Sequence, residues 1–140
     1  IATLTVSKIQ NSILNNDKPP IMYPTTIPNK DIIKVLGEST MNLIKQQMKI
    51  KTFNSKKIED LNNYLENNWN DFVKPLRKIM INYDYMWKVM GDCGALRTAQ
   101  DANLNNELYN NAIRYSRFIR DRYTILDFAG DSNQLEKYIN

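Results

Sequence analysis

Histidine is absent from the 140 residues, and cysteine occurs once, as Cys93. One cysteine cannot form an internal disulfide, and a zinc site requires histidine or several cysteines. Without histidine the commonest general base is missing, and Ser-His-Asp and Cys-His arrangements are excluded. No glycine-rich phosphate-binding motif is present either. The sequence therefore predicts a protein that is not an enzyme and that needs no metal or cofactor.

Glycine is scarce, with four in the whole chain, and no apolar run approaches the roughly 18 residues of a membrane-spanning helix. Few glycines argue against a β-sandwich or barrel, which needs many tight turns. Hydrophobic residues make up 42% of the chain, which is enough for a buried core. We therefore predict an all-α protein, a small bundle of about four main helices with no transmembrane segment.

Helical periodicity is clearest between residues 55 and 90. Apolar side chains recur there every three or four residues, the spacing of one buried helix face. Pro75 lacks an N–H and crowds the carbonyl four residues earlier. We expect a kink there, or a second helix that begins near Pro75. Further helices are predicted at 3–15, 29–51 and 98–126. The predicted buried face of 55–90 consists of Ile58, Leu61, Leu65, Trp69, Phe72, Leu76, Ile79, Tyr83 and Met86.

Prolines are concentrated near the N-terminus, where four occur within residues 19–28. They favour an extended chain, and the apolar side chains between them require a groove. This segment either packs as a strap on its own domain or reaches a neighbouring subunit. We predict an extended N-terminal helical arm at residues 1–28 and a helical bundle domain at 29–140. The expected subunit contacts are Ile21, Met22, Tyr23 and Ile27.

Positive charge is unevenly distributed along the chain. Residues 1–57 contain nine lysines against three acidic residues, a net charge of +6, whereas residues 58–140 carry −2. Such asymmetry indicates an anionic partner, although solvated lysines that keep a protein soluble give the same pattern. Arginines also cluster at 114–122, and lysine and arginine contacts to phosphate bind nucleic acid without reading its sequence. The expected nucleic-acid-binding residues are Lys8, Lys30, Lys34, Lys45, Lys49, Lys56, Lys57, Arg114, Arg117 and Arg120.

The layout of the chain resembles that of the major coat proteins of filamentous and rod-shaped archaeal viruses. The resemblance rests on the helix at 3–15, the bend at 18–28, the lysine-bearing helix at 29–51 and the bundle from Ser55 onward. It implies a viral structural protein, a helical capsid subunit located in the virion. Its arm would wrap double-stranded DNA and contact copies of itself or a paralogous coat protein.

A second class of function is also compatible with the sequence. The chain could be an intracellular helical adaptor, for example a viral protein that binds a host partner through an apolar groove. Met80, Met86, Trp87 and Met90 could line such a groove, or they could belong to the core.

Overall fold

The computed structural model describes residues 1–139, and every regular element in that range is helical. The predicted all-α bundle is confirmed, although it has more helices than the four expected. The α-helices are α1 (Ala2–Leu14), α2 (Asn29–Leu36), α3 (Met41–Lys51), α4 (Ser55–Ile79), α5 (Tyr83–Asp92), α6 (Asn106–Tyr115) and α7 (Ile125–Asp131). Short 3-10 segments span Glu38–Thr40, Ser116–Ile119 and Leu135–Tyr138.

The predicted helix at 29–51 is interrupted at Gly37. This residue has a φ of +82°, in the left-handed region that glycine adopts without strain. As a result α2 ends at Leu36, and α3 begins at Met41 after a short 3-10 segment. The expectation of one continuous helix is wrong here, because glycine turns the chain instead of lying within a helix.

The long helix α4 passes through Pro75, and its irregular residue is Asn68, two turns earlier. The side-chain amides of Asn67 and Asn68 donate hydrogen bonds of 2.7 and 2.9 Å to backbone carbonyls four residues before them. Such bonds compete with the helical ladder and bend helices. The helix then ends at Ile79. The helix is therefore irregular at Asn68 and breaks at residues 80–82, instead of kinking or breaking at Pro75 as expected.

Two clusters of buried side chains form the core. The larger one joins α1, α4, α6 and α7, and the smaller one lies between α2, α3 and the segment Tyr115–Phe118. The larger cluster contains Ile9, Ile13, Leu14, Met22, Ile58, Leu65, Trp69, Val73, Ile113, Phe128, Ala129 and Leu135. The smaller cluster contains Ile32, Met41, Ile44, Met48, Tyr115 and Phe118.

The N-terminal region belongs to the bundle and does not project from it. Ile9 and Ile13 of α1 are fully buried in the larger cluster, together with Met22 from the proline-rich segment. The Asn62 side chain clamps the backbone of Met22: its Oδ1 accepts the Met22 N–H at 2.8 Å, and its Nδ2 donates to the Met22 carbonyl at 2.9 Å. Residues 18–28 therefore pack in cis as a strap on their own domain, which is one of the two alternatives that the sequence left open.

The predicted helix at 98–126 is divided into shorter elements. The Asp101 carboxylate accepts the N–H groups of Arg97 and Thr98, so it closes a turn where the predicted helix was expected to begin. The cap of α6 is Asn105, whose side chain accepts two backbone N–H groups. After α6 the chain forms a 3-10 segment and then a non-helical stretch at 120–124. The predicted helix is divided because nearby polar side chains accept backbone N–H groups that a continuous helix would use.

Replacing Ile13 by Ala should lower the free energy of unfolding by about 2–4 kcal/mol, because it empties a fully buried site. Ile79 is 79% exposed, and Ile79→Ala should change that energy by less than about 0.5 kcal/mol. Urea denaturation measures both variants. Because α1 packs in cis, the midpoint should not depend on protein concentration. Equal, small effects of the two substitutions would contradict the buried position of α1.

Candidate nucleic-acid interface

A network of four buried charges joins the end of α3, the 3-10 segment after α6, and α7. Lys51, the last residue of α3, pairs with Asp127 of α7, with 2.7 Å between Nζ and Oδ1. Arg117, from the 3-10 segment Ser116–Ile119, pairs with Asp131 of α7, with 2.5 Å between Nη2 and Oδ1. All four side chains are at most 4% exposed. Buried charges are tolerated only when paired, so these elements must stay together.

Hydrogen bonds complete this network. Asp127 caps α7 by accepting the backbone N–H and the hydroxyl of Thr124, at 2.8 and 2.9 Å. Lys51 also donates to the backbone carbonyl of Arg117. Arg117 in turn donates from Nη1 to the Asp127 carbonyl at 3.0 Å. Within residues 1–139, Nε of Arg117 is buried without a hydrogen bond and lies 3.9 Å from Asp127 Oδ1.

The same network anchors the strap. The carboxylate of Asp131 accepts hydrogen bonds from the hydroxyls of Thr25 and Tyr123, at 2.9 and 3.0 Å. Its backbone carbonyl accepts the N–H of Tyr23 at 2.7 Å. Burial, together with the negative charge of Asp131, raises the pKa of Tyr123, so this phenol remains a donor. Asp131 thus couples the strap to the C-terminal part of the bundle.

Arg117 cannot serve the predicted role of phosphate binding, because it is buried and paired. A helix continuing to 126 would have placed it on one surface with Arg114 and Arg120. Instead α6 ends at Tyr115, and Arg117 points inward. A side chain at Gly130 would collide with the Arg117 guanidinium, so glycine leaves the space that Arg117 occupies. This burial corrects the assignment of Arg117 to the interface.

Arg114 is also engaged, in a two-point pair with Glu136. The distances are 2.9 Å from Nε to Oε1 and 2.7 Å from Nη2 to Oε2. These hydrogen bonds raise the pKa of Arg114, and they lower the pKa of Glu136. A phosphate group would have to compete with Glu136 for the guanidinium, which makes Arg114 a weak candidate.

The remaining predicted basic residues are exposed. Among the described residues, none of their side chains forms an ion pair. They are Lys8 on α1, Lys30 and Lys34 on α2, Lys45 and Lys49 on α3, Lys56 and Lys57 on α4, and Arg120 after the 3-10 segment.

Most of these cations gather where α3 meets α4. Residues 120–123 pack on this junction, because the Arg122 carbonyl lies 3.5 Å from Lys51 Nζ and the Tyr123 ring meets the Phe53 ring edge-on, with centroids 5.3 Å apart. The exposed side chains of Arg120 and Arg122 therefore flank the junction. We define the junction surface as Lys45, Lys49, Lys56, Lys57, Arg120 and Arg122. The sequence prediction omitted Arg122, although it lies in the same arginine cluster.

Two of these lysines occupy an electrostatically unfavourable position. Lys56 and Lys57 lie in the first turn of α4, which has no acidic residue in that turn. The positive end of the helix dipole disfavours cations there and attracts anions. An anion at this surface would relieve the repulsion.

The four predicted subunit contacts do not share one surface. Ile21 and Tyr23 are exposed, and Ile27 is half-buried against the smaller core cluster. Met22 is 1% exposed in the larger cluster, so it cannot contact another subunit while the strap is in place. Alternation along the extended strap explains this outcome, because neighbouring side chains point to opposite sides.

Two other features bear on function. In residues 1–139, no helix combines the length and apolar character needed to cross a membrane. The same part of the chain holds no group of three or more histidine, cysteine or acidic side chains placed to bind a metal ion.

Comparison of the chain with protein families, with curated proteins and with solved structures finds no match. The resemblance to viral coat proteins therefore stays a prediction.

Replacing Asp131 by Asn should lower the free energy of unfolding by about 3–5 kcal/mol, because the charge of Arg117 stays buried without its partner. The matched control is Asp92→Asn, which removes the exposed partner of Lys88 and should change that energy by less than about 1 kcal/mol. Chemical denaturation gives both values. Equal losses of unfolding free energy in the two variants would show that the buried pair stabilises the fold no more than the exposed pair does.

Stability should also fall as pH rises above about 10, the ordinary pKa of tyrosine. The pKa of Tyr123 is raised in the folded protein, so its contribution is complete below the unfolded pKa and is lost at higher pH. Tyr123→Phe should make the decline shallower, whereas Tyr85→Phe, at an exposed position, should not. Denaturation midpoints measured from about pH 8 to about pH 11 test this prediction. It would be contradicted if the midpoint of Tyr123→Phe fell with pH as steeply as that of the wild type.

Proposed function

We propose that the protein binds nucleic acid through the junction surface, without sequence preference, as a non-enzymatic structural protein. The observation that carries this proposal is the set of six exposed cations at the α3–α4 junction, none of them in an ion pair within residues 1–139. The positive end of the helix dipole opposes the lysines in the first turn of α4 and favours an anion there.

Each part of the junction surface suits a phosphate backbone. The lysines act as point charges, and Arg120 and Arg122 can hold a phosphate by two hydrogen bonds. The N–H of Lys57 already donates to the Asn54 side chain that caps α4, so the further backbone donors are those of Ser55 and Lys56. These contacts neutralise phosphates and leave base edges unread, so affinity should depend on salt and hardly on sequence.

In its specific form the proposal is a capsid subunit that coats double-stranded DNA in a virion and associates with copies of itself or a paralogous coat protein. Because the strap packs in cis, the assembly contacts have to come from surfaces that this packing leaves exposed. The exposed strap residues Ile21 and Tyr23 remain available for such contacts.

A protein-binding adaptor is the second candidate, and one observation favours it. Ile79, Ile81, Tyr85 and Val89 are exposed where α4 ends and along α5, and the last three recur every four residues. An exposed apolar row of this kind is typical of a surface that contacts another protein. The methionines proposed for an apolar groove, Met80, Met86 and Met90, are half-buried instead.

Replacing Lys45, Lys49, Lys56 and Lys57 together by Gln should weaken binding to duplex DNA and reduce its salt dependence. Each lost phosphate contact lowers the slope of log affinity against log salt by roughly 0.9, so four contacts lower it by roughly 3 to 4. Fluorescence anisotropy over a range of salt concentrations measures the slope.

The control variant replaces Lys74, Lys78, Lys88 and Lys137 by Gln, which removes the same charge at exposed positions elsewhere. Loss of DNA affinity only in the junction variant supports the proposal. Equal loss in both variants would show that DNA is attracted by the overall charge of the protein and not by the junction surface. Negative-stain microscopy with and without DNA separates the two candidates. Filaments support a coat protein, whereas discrete particles in both conditions, with no DNA binding at any salt, favour an adaptor.

A further inference from the structure

A small cavity of about 220 Å³ lies away from the junction surface. Its walls come from α1, from α5, from the turn that follows α5, and from the first half of α6. The other end of α6 reaches the core cluster beneath α3 through Tyr115. Tyr115 lies five residues beyond Asn110, the last α6 residue of the cavity wall, which is a rise of about 7.5 Å along the helix.

The charged residues of the cavity wall are both cations. Lys8 and Arg97 line it, and no acidic residue does. Within residues 1–139 neither of them forms an ion pair. The nearby carboxylate of Asp101 accepts the backbone N–H groups of Arg97 and Thr98, at 3.0 and 2.9 Å, and these bonds lower the pKa of Asp101. The wall therefore attracts an anion.

Aromatic rings form much of the remaining wall, and several of them are held in place. The Arg97 guanidinium lies over the Trp87 ring, 4.6 Å from its centroid, and Tyr83 packs against Trp87 with centroids 6.0 Å apart. The Tyr109 hydroxyl is hydrogen-bonded to the Thr5 hydroxyl, and the Tyr138 hydroxyl donates to the Ser12 hydroxyl at 2.5 Å.

A glycine permits this arrangement. A side chain at Gly91 would collide with the guanidinium of Arg97, so its absence lets Arg97 lie against α5. Arg97 is also fixed by donating to the Trp87 carbonyl at 3.4 Å. The cation and the rings are thus positioned before any ligand arrives.

We propose that this cavity binds a single nucleotide, with the base among the aromatic rings and the phosphate at Lys8 and Arg97. Stacking on aromatic rings and on arginine is how proteins hold unpaired bases. Its volume is below the roughly 300 Å³ at which sites for larger ligands begin, so one ring system enters and the sugar phosphate lies at the mouth.

The polar groups of the wall favour a base over another aromatic anion. Gln100 and Asn106 line the cavity, and their amides offer both donors and acceptors that match the edge of a base. A phenyl phosphate has no such edge, so both exposed amides would keep only water as a partner. A free nucleotide and an unpaired nucleotide of a strand present the same chemistry to this site. Binding of an unpaired nucleotide in a strand rests on the proposed function, whereas binding of a free nucleotide is independent of it.

Isothermal titration of the full chain tests the site with three probes: AMP, adenosine and a short single-stranded oligodeoxyadenylate. AMP should bind saturably and adenosine much more weakly. Lys8→Gln and Arg97→Gln should each weaken AMP binding about tenfold, because each removes a charge-assisted contact to phosphate. Lys88→Gln, an exposed position on α5 outside the wall, is the matched control and should leave AMP affinity unchanged.

Arg97 also packs on Trp87, so thermal melting checks that its variant is folded; Lys8 is exposed and provides a variant without that risk. Absence of saturable AMP binding, or equal AMP affinity in the wild type and both variants, would overturn the proposal. Equal affinity for adenosine and AMP would overturn it as well. In the junction variant, which lacks the lysines of the other surface, tighter binding of the oligonucleotide than of AMP assigns the cavity to a strand, and equal or weaker binding assigns it to a free nucleotide.

The two proposals can fail separately. The junction variant described above should lose affinity for duplex DNA and keep its affinity for AMP. Binding of AMP without any duplex binding would leave the cavity site intact and overturn the junction surface. Duplex binding without AMP binding would leave the junction surface intact and overturn the cavity site.

Discussion

The fold depends on pairing four charges away from water. Lys51 and Arg117 can be buried only because Asp127 and Asp131 face them, and the penalty for leaving either cation alone would be several kcal/mol. These residues come from the end of α3, from the 3-10 segment after α6, and from α7. Asp131 extends the constraint to the N-terminal strap by accepting the Thr25 hydroxyl. One ionic network therefore sets how distant parts of the chain come together.

That network also determines which positive charges reach the surface. By drawing Arg117 inward and holding residues 120–123 against the α3–α4 junction, it separates structural cations from exposed ones. The exposed cations then lie beside the N-terminus of α4, where the helix dipole already favours an anion. Basic residues spread along some eighty positions of sequence thus become one surface, and the proposed binding of nucleic acid follows from that grouping.

The two proposed sites differ in chemistry and share no residue. The junction surface offers lysines and arginines and suits a phosphate backbone. The cavity beside Trp87 offers rings, amides and two cations, and suits one base with its phosphate. The exposed apolar row along α5 is a third surface, and its chemistry suits a protein partner.

The sequence by itself determined the helical class, the buried face of α4 from Ile58 to Trp69, and the exposed lysines of α2, α3 and α4. Periodicity and charge are local properties, so they can be read without knowing the fold. Only the tertiary structure decided that α1 and the strap pack in cis, that Arg117 is buried, and that the chain after Tyr115 leaves the helix. These outcomes depend on partners distant in sequence, above all Asp127 and Asp131, and no local pattern shows which charges will meet in the core.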